Sequence, residues 1–148
     1  MNSKFQIFTL KNIQTDNLMM TPLELQDYID FAVKRVYFIT HPTGETSQHC
    51  HFEEKELFVL LQGTCTAIID NGQGLEEIPM VGEQNAIYVA NYVWHGFKDF
   101  SKDAILLALS STNYKADRSD YLEDYDEYLK IRDEKLNLNE PEEEKVQG

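Results

Sequence analysis

Residues 44–63, with the sequence GETSQHCHFEEKELFVLLQG, decide the fold. The continuous apolar run at 57–61 is typical of a buried strand. His49 and His51 precede it two residues apart, so in an extended chain both imidazoles lie on one face. Glu56 opens the apolar run and returns a carboxylate toward the two histidines. The segment therefore predicts a β-rich core with a cluster of polar side chains on its inner face.

Similar short apolar or alternating segments occur on both sides of this stretch. They are broken by turn sequences such as His41-Pro42-Thr43-Gly44 and Asp70-Asn71-Gly72. So many short strands predict an all-β sandwich or barrel. The predicted strands cover residues 5–10, 33–39, 57–61, 64–69, 77–81, 86–89 and 104–110.

The pattern changes near the C-terminus. Five apolar side chains fall at helical spacing with acidic residues between them, namely Tyr121, Leu122, Tyr125, Tyr128 and Leu129. We expect an amphipathic helix over 117–135, capped by Asp117 or Ser119 and packed on the barrel. Residues 1–138 would then form one domain, and the acidic residues 139–148 a disordered tail.

Composition narrows the possible functions. The net charge of −13 opposes binding to a nucleic-acid backbone, which requires a basic surface. No apolar stretch is long enough to span a membrane, and the first eight residues lack the apolar core of a secretion signal. Two cysteines, Cys50 and Cys65, are too few for a disulfide framework. These features favour a cytoplasmic protein.

The histidine pattern resembles the two sequence motifs of the cupin superfamily. His49-x-His51, Glu56 and Gly63 match the first motif, and His95 stands where the second motif has a single histidine. The second motif is degraded, since Ala90-Asn91-Tyr92 replaces its usual proline and glycine. The resemblance implies a jelly-roll barrel with the C-terminal helix added to it.

A longer match covers roughly residues 4–131. Residues 34–39, the histidine pair, residues 57–63, Trp94-His95 and residues 120–129 occur in the order found in nucleotide-sugar 3,4-ketoisomerases. The chain thus resembles cupin enzymes that move the ketone of dTDP-4-keto-6-deoxyglucose from C4 to C3. One departure is that Glu45-Thr46-Ser47-Gln48 stands where the family commonly has an Arg-Gly pair.

The resemblance also implies a biological setting. The 3-keto product would be aminated to a 3-amino-3,6-dideoxy sugar and used in lipopolysaccharide, other surface polysaccharides or S-layer glycans. It further implies a homodimer with exchanged N-terminal strands, and catalysis without a metal or other cofactor.

The reaction needs a base that removes the weakly acidic C3 proton and a donor for the enediolate. Histidine titrates near neutral pH, which makes His51 our predicted base and His49 the donor to the sugar oxygens. Tyr37 is the predicted proton donor or hydrogen-bonding partner. Arg35 and His95 are candidate substrate contacts, and Arg35 shares a face with Tyr37 only if no bulge intervenes.

Two other functions fit the same residues. His49, His51, Glu56 and His95 would form a complete ligand set for a metal-dependent, oxygenase-like cupin. A non-catalytic sugar-binding barrel is the other possibility. The stereochemistry at C4 of the product, galacto or gluco, stays open, because it depends on which face is reprotonated.

Overall fold

The computed structural model describes residues 4–136, which form a small β-barrel followed by one α-helix. A short 3-10 helix, Leu25–Asp27, lies between the third and fourth strands. The remaining elements are β1 Phe5–Thr9, β2 Ile13–Gln14, β3 Met19–Met20, β4 Arg35–Ile39, β5 Cys50–His51, β6 Glu56–Gln62, β7 Thr64–Asp70, β8 Glu76–Val81, β9 Asn85–Val89, β10 Trp94–Lys98, β11 Ile105–Ser110, β12 Tyr121–Leu122 and α1 Tyr125–Lys135.

The strands form two facing layers. One layer is a five-stranded sheet in the order β1-β9-β6-β11-β4, and the other contains β10-β7-β8, extended beyond β10 by residues 46–51. Apolar side chains from both layers fill the space between them, including Phe58, Leu60, Ile69 and Val89. This arrangement confirms the predicted all-β jelly-roll barrel. The polar side chains of the barrel interior lie close together near the first residues of β4 and β6.

Gly63 makes the turn between β6 and β7 possible. Its φ of +81° lies in the left-handed region, and a Cβ there would come within 2.8 Å of the Ala104 backbone. Only glycine fits both requirements. The turn leads from β6 in the five-stranded sheet to β7 in the other layer, so the two strands face each other across the core and do not pair as a hairpin.

The C-terminal helix is shorter than predicted. It begins at Tyr125, where the Asp124 side chain caps it by accepting a hydrogen bond from the Glu127 backbone N–H at 3.0 Å. The expected start at Asp117 or Ser119 is wrong, because Tyr121 and Leu122 form β12 and pair with β5. Helical spacing therefore misassigned a strand whose partner lies seventy residues earlier in sequence.

The described part of the chain holds no helix that is long and apolar enough to cross a membrane. The predicted disordered tail, residues 139–148, lies outside the described residues and stays a prediction.

Candidate active site

Strand pairing sets the direction of the two motif histidines. His49 and His95 exchange backbone hydrogen bonds of 3.0 and 2.9 Å, and His51 pairs with Tyr121 of β12. Both imidazoles therefore face the barrel interior, as predicted. Cys50 points the other way and is fully buried in a separate cluster with the aromatic rings of Trp94 and Tyr128.

Three imidazoles meet at the centre of the site. The His49 ring lies 4.7 Å from the His51 ring and 4.8 Å from the His95 ring, between centroids. Nε2 of His49 is 3.1 Å from Nε2 of His51. His41, the fourth histidine, is exposed in the loop after β4 and lies outside the cluster.

Glu56 joins the histidine cluster to Tyr37. One carboxylate oxygen, Oε1, lies 3.1 Å from Nε2 of His51, and the other, Oε2, accepts a 2.5 Å hydrogen bond from the Tyr37 hydroxyl. Glu56 is fully buried, but its bond to His51 and the nearby histidines outweigh that burial and lower its pKa. Burial and the Glu56 charge raise the pKa of Tyr37. The site thus holds a continuous path of close polar contacts from imidazole to phenol.

The three histidines differ in basicity. Burial, aided by the neighbouring imidazoles, lowers the pKa of His49 to about 2, and burial lowers that of His95 to about 4. Burial also acts against the charged form of His51, but the carboxylates of Glu56, Glu54 and Asp120 outweigh it and raise its pKa. His51 is therefore the strongest base of the cluster.

Arg35 lies on the same face as Tyr37, with its guanidinium 5.2 Å from the centre of the phenol ring. Its Nη2 lies 3.1 Å from both carboxylate oxygens of Glu54, which is buried and also accepts a 3.2 Å bond from Thr112. Sequence reasoning missed Glu54. The sequence signal that could have indicated it is its position, three residues after His51 of the motif.

Asp120 is a second residue that the sequence reasoning left without a role. Its carboxylate accepts backbone N–H bonds from Glu53 and Glu54, at 2.7 and 3.2 Å. Oδ2 also lies 3.2 Å from Nδ1 of His51, although the angle falls outside hydrogen-bond geometry. Asp120 thus fixes the loop after the histidine pair and places a negative charge beside the His51 ring.

The cluster has the donor set of a metal site. One ligand atom each from His49, His51 and His95 lies within 4.8 Å of the others, and His51, Glu54 and Glu56 form a second such group. Imidazole nitrogens and carboxylate oxygens together suit zinc, iron, copper or nickel. The geometry therefore allows a metal as well as proton-transfer chemistry.

Comparison with known proteins identifies the family. The family described as "FdtA: WxcM-like, C-terminal" matches residues 3–133. The TDP-4-oxo-6-deoxy-α-D-glucose-3,4-oxoisomerase of Aneurinibacillus thermoaerophilus is 32% identical over 119 residues, which cover 79% of this chain and 84% of the relative.

Two solved structures have the same fold and related sequences. The WlaRB TDP-quinovose 3,4-ketoisomerase of Campylobacter jejuni is 29% identical, with a TM-score of 0.76 over 85% of this chain and 97% of that one. A double mutant of the QdtA 3,4-ketoisomerase of Thermoanaerobacterium thermosaccharolyticum, in complex with TDP, is 26% identical, with a TM-score of 0.80 over 91% and 98%. With the site described above, these similarities show that the chain is an isomerase and belongs to the FdtA family of sugar 3,4-ketoisomerases.

Proposed function

We propose that this chain converts TDP-4-keto-6-deoxyglucose into its 3-keto isomer through an enediol or enediolate. The name of the A. thermoaerophilus relative specifies that substrate, and the QdtA structure contains TDP. The observation that carries the proposal is the path from His51 through Glu56 to Tyr37, because the reaction requires one base and one acid close together.

His51 is the base that removes the C3 proton. Three carboxylates surround its ring and stabilise the imidazolium that forms when it accepts a proton. Those carboxylates make the imidazole a stronger base than an ordinary histidine. Proton abstraction breaks the C3–H bond and leaves its electrons in the enediolate, whose negative charge is delocalised onto the C4 oxygen.

Tyr37 supplies the proton that returns at C4. In the free protein its hydroxyl donates to the Glu56 carboxylate, and that negative charge makes it a poor acid. Transfer of the proton from His51 to Glu56 would neutralise the carboxylate. Tyr37 then gives its proton to C4 while its oxygen takes up the proton on Glu56, so both groups return to their starting state and the C3 proton is replaced by one at C4.

His49, His95 and Arg35 contact the sugar. Nδ1 of His95 donates to the Val93 carbonyl at 2.9 Å, so in the neutral ring Nε2 is an acceptor. Neither that nitrogen nor Nδ1 of His49 has a hydrogen-bond partner among residues 4–136, although both are buried. Buried polar atoms of this kind normally have partners, and sugar oxygens would supply them.

The chain acts as a homodimer in which the N-terminal strands are exchanged. In the isolated chain β1 pairs with β9 at one edge of the five-stranded sheet, and the same register could form between two copies. At the other edge, β4 leaves Val36 and Phe38 largely exposed on one face, an apolar surface that a second copy would cover. Sedimentation equilibrium should give about twice the chain mass of 17.2 kDa.

The reaction belongs to the cytoplasmic synthesis of an amino sugar for surface glycans such as lipopolysaccharide or S-layer glycans. Cys50 and Cys65 are both free and buried, which suits a reducing compartment. A 3-keto sugar is the substrate that a transaminase needs to install a 3-amino group.

Incubation of the purified chain with TDP-4-keto-6-deoxyglucose tests the proposal. Nuclear magnetic resonance should show a new 3-keto sugar, with solvent deuterium at C4 when the reaction runs in D₂O. The configuration at C4 is read from the same spectrum. A substrate that binds but neither isomerises nor exchanges its C3 proton would indicate a sugar-binding barrel instead.

A further inference from the structure

Solvent reaches the histidine cluster along one side. His51 and His95 are each 2% exposed, whereas His49 is only half-buried. The Tyr121 ring borders this side, with its centre 4.8 Å from the His49 ring and 4.5 Å from the His51 ring. The Arg118 guanidinium lies 4.1 Å from the centre of the Tyr121 ring. Tyr121 and Arg118 therefore lie on the side of the cluster that is nearest to solvent.

Arg118 is held in a defined turn. Its N–H donates to the Lys115 carbonyl at 3.0 Å, and its own carbonyl accepts from the Tyr121 N–H at 3.1 Å. Its φ of +58° is in the left-handed region, which is unfavourable for a residue with a side chain.

The proposed substrate requires a cation near this opening. Its diphosphate is bonded to C1 of the sugar ring that carries the reacting C3 and C4, so phosphate oxygens lie about one ring's width from His51. The chain carries a net charge of −13, which opposes binding of an anion unless positive charge is placed locally. The segment immediately before His49, residues 44–48, contains no lysine or arginine.

Arg118 has a partner that is easier to replace than the partner of Arg35. Arg35 is paired with the buried Glu54, and a charge left alone in that position would be costly. Arg118 pairs with Glu123, and both side chains are about half exposed. An exposed pair of this kind contributes only about 0–1 kcal/mol. A diphosphate can therefore displace Glu123 at little cost.

We propose that Arg118, held over Tyr121 at the opening of the site, binds the diphosphate of the nucleotide sugar. This inference rests on the proposed function and adds to it a binding residue for the anionic part of the substrate. A guanidinium offers two parallel N–H donors to phosphate oxygens, and stacking on Tyr121 fixes its plane.

Two matched variants separate phosphate binding from a structural ion pair. Arg118→Gln and Glu123→Gln both break the Arg118–Glu123 pair, but only the first removes the cation. Arg118→Gln should raise the dissociation constant of TDP about 10- to 100-fold, and KM should rise with it. Glu123→Gln should leave TDP affinity unchanged or improve it. Affinity for thymidine, which has no phosphate, should be the same in both.

Lys130→Gln is the control for net charge, because Lys130 forms a similar exposed pair with Glu127 on the outside of α1. It should bind TDP like the wild type. Equal weakening in Arg118→Gln and Glu123→Gln would show that the pair acts structurally and would overturn the inference. TDP binding that Arg118→Gln leaves unchanged would also overturn it. A wild-type chain that fails to bind TDP would contradict the proposed function as well.

Discussion

The Tyr37 hydroxyl lies 2.5 Å from Oε2 of Glu56, a fully buried carboxylate that spans the gap between the phenol and the His51 imidazole. Glu56 thus links His51 and Tyr37 directly, and these are the two groups that we propose exchange protons with C3 and C4 of the sugar. Glu56 touches both, so it can transmit a change of charge at one to the other.

Glu56→Gln should lower kcat by about 100-fold or more, since an amide keeps the shape but cannot take up a proton. The carboxylate also raises the pKa of His51, so the variant should lower that pKa. The acid limb of the kcat/KM profile, which in the wild type should lie above pH 6.5, would move to lower pH. A variant with wild-type turnover and an unchanged profile would remove Glu56 from the proton path.

His51→Asn tests the base directly. We expect a folded protein that still binds TDP but turns over at least ~100-fold more slowly, the lower end for loss of a general base. Circular dichroism and TDP titration serve as the controls for folding and binding. Near-wild-type turnover would show that another group, with His49 the nearest, removes the C3 proton.

Sequence patterns predicted the barrel and the inward direction of His49 and His51 because both depend on local alternation. They also predicted that Glu56 and His95 belong to the same site as the histidine pair. They did not predict β12, Tyr121–Leu122, which has two residues and a partner seventy positions earlier. They also did not predict β10, Trp94–Lys98, whose sequence WHGFK has neither a continuous apolar run nor a clear alternation. Tertiary pairing overrode the helical spacing of Tyr121 and Leu122.

Glu54 and Asp120 were missed for a related reason. A single acidic residue stands out little in a chain that has 26 of them, even at the position of Glu54 three residues after His51. Their roles arise only because Arg35, the loop backbone and the His51 ring meet there in three dimensions. The family resemblance included residues 120–129, but it assigned no role to Asp120.

Exhaustive treatment with EDTA should leave turnover intact, although His49, His51 and His95 could hold a metal. The reason is that His51, Glu56 and Tyr37 supply the base and the acid from side chains alone. Elemental analysis of the treated protein checks that no metal remains. Loss of activity on removal of stoichiometric iron, manganese or zinc, with recovery on its return, would favour the metal-dependent cupin.

Acid should destabilise the fold partly through His95. Burial lowers its pKa to about 4, whereas an unfolded histidine titrates near 6.5. Between these values the unfolded chain binds a proton that the folded chain does not. His95 therefore contributes stability that is complete above about pH 6.5 and is lost as pH falls toward 4, up to about 3 kcal/mol.

His95→Gln should flatten the fall in Tm between pH 7 and pH 4. His41→Gln is the control, because it removes an exposed histidine outside the cluster. Parallel Tm curves for the wild type and His95→Gln would show that His95 is not held neutral by burial.

Tyr128 anchors α1 and is the fully buried member of the five apolar residues that the sequence places at helical spacing. The Tyr128 ring is fully buried against Trp94, and its hydroxyl donates to the Tyr92 carbonyl at 2.7 Å. Leu129, one position later, is 40% exposed. Tyr125 is half-buried and reaches Asp70 through a 2.6 Å hydrogen bond from its hydroxyl.

Tyr128→Ala should therefore destabilise the protein by roughly 3–5 kcal/mol, as expected when a buried aromatic is removed and a cavity remains. That is a large share of the total stability of about 5–15 kcal/mol that is typical of a domain. The control is Leu129→Ala, which changes an exposed residue of the same helix and should change Tm little. Because Tyr128 lies behind the histidine pair and not among the site residues, TDP should raise the Tm of both variants as it does in the wild type. A Tyr128→Ala protein with wild-type Tm but weakened TDP binding would mean that this tyrosine serves the nucleotide and not the packing of the helix.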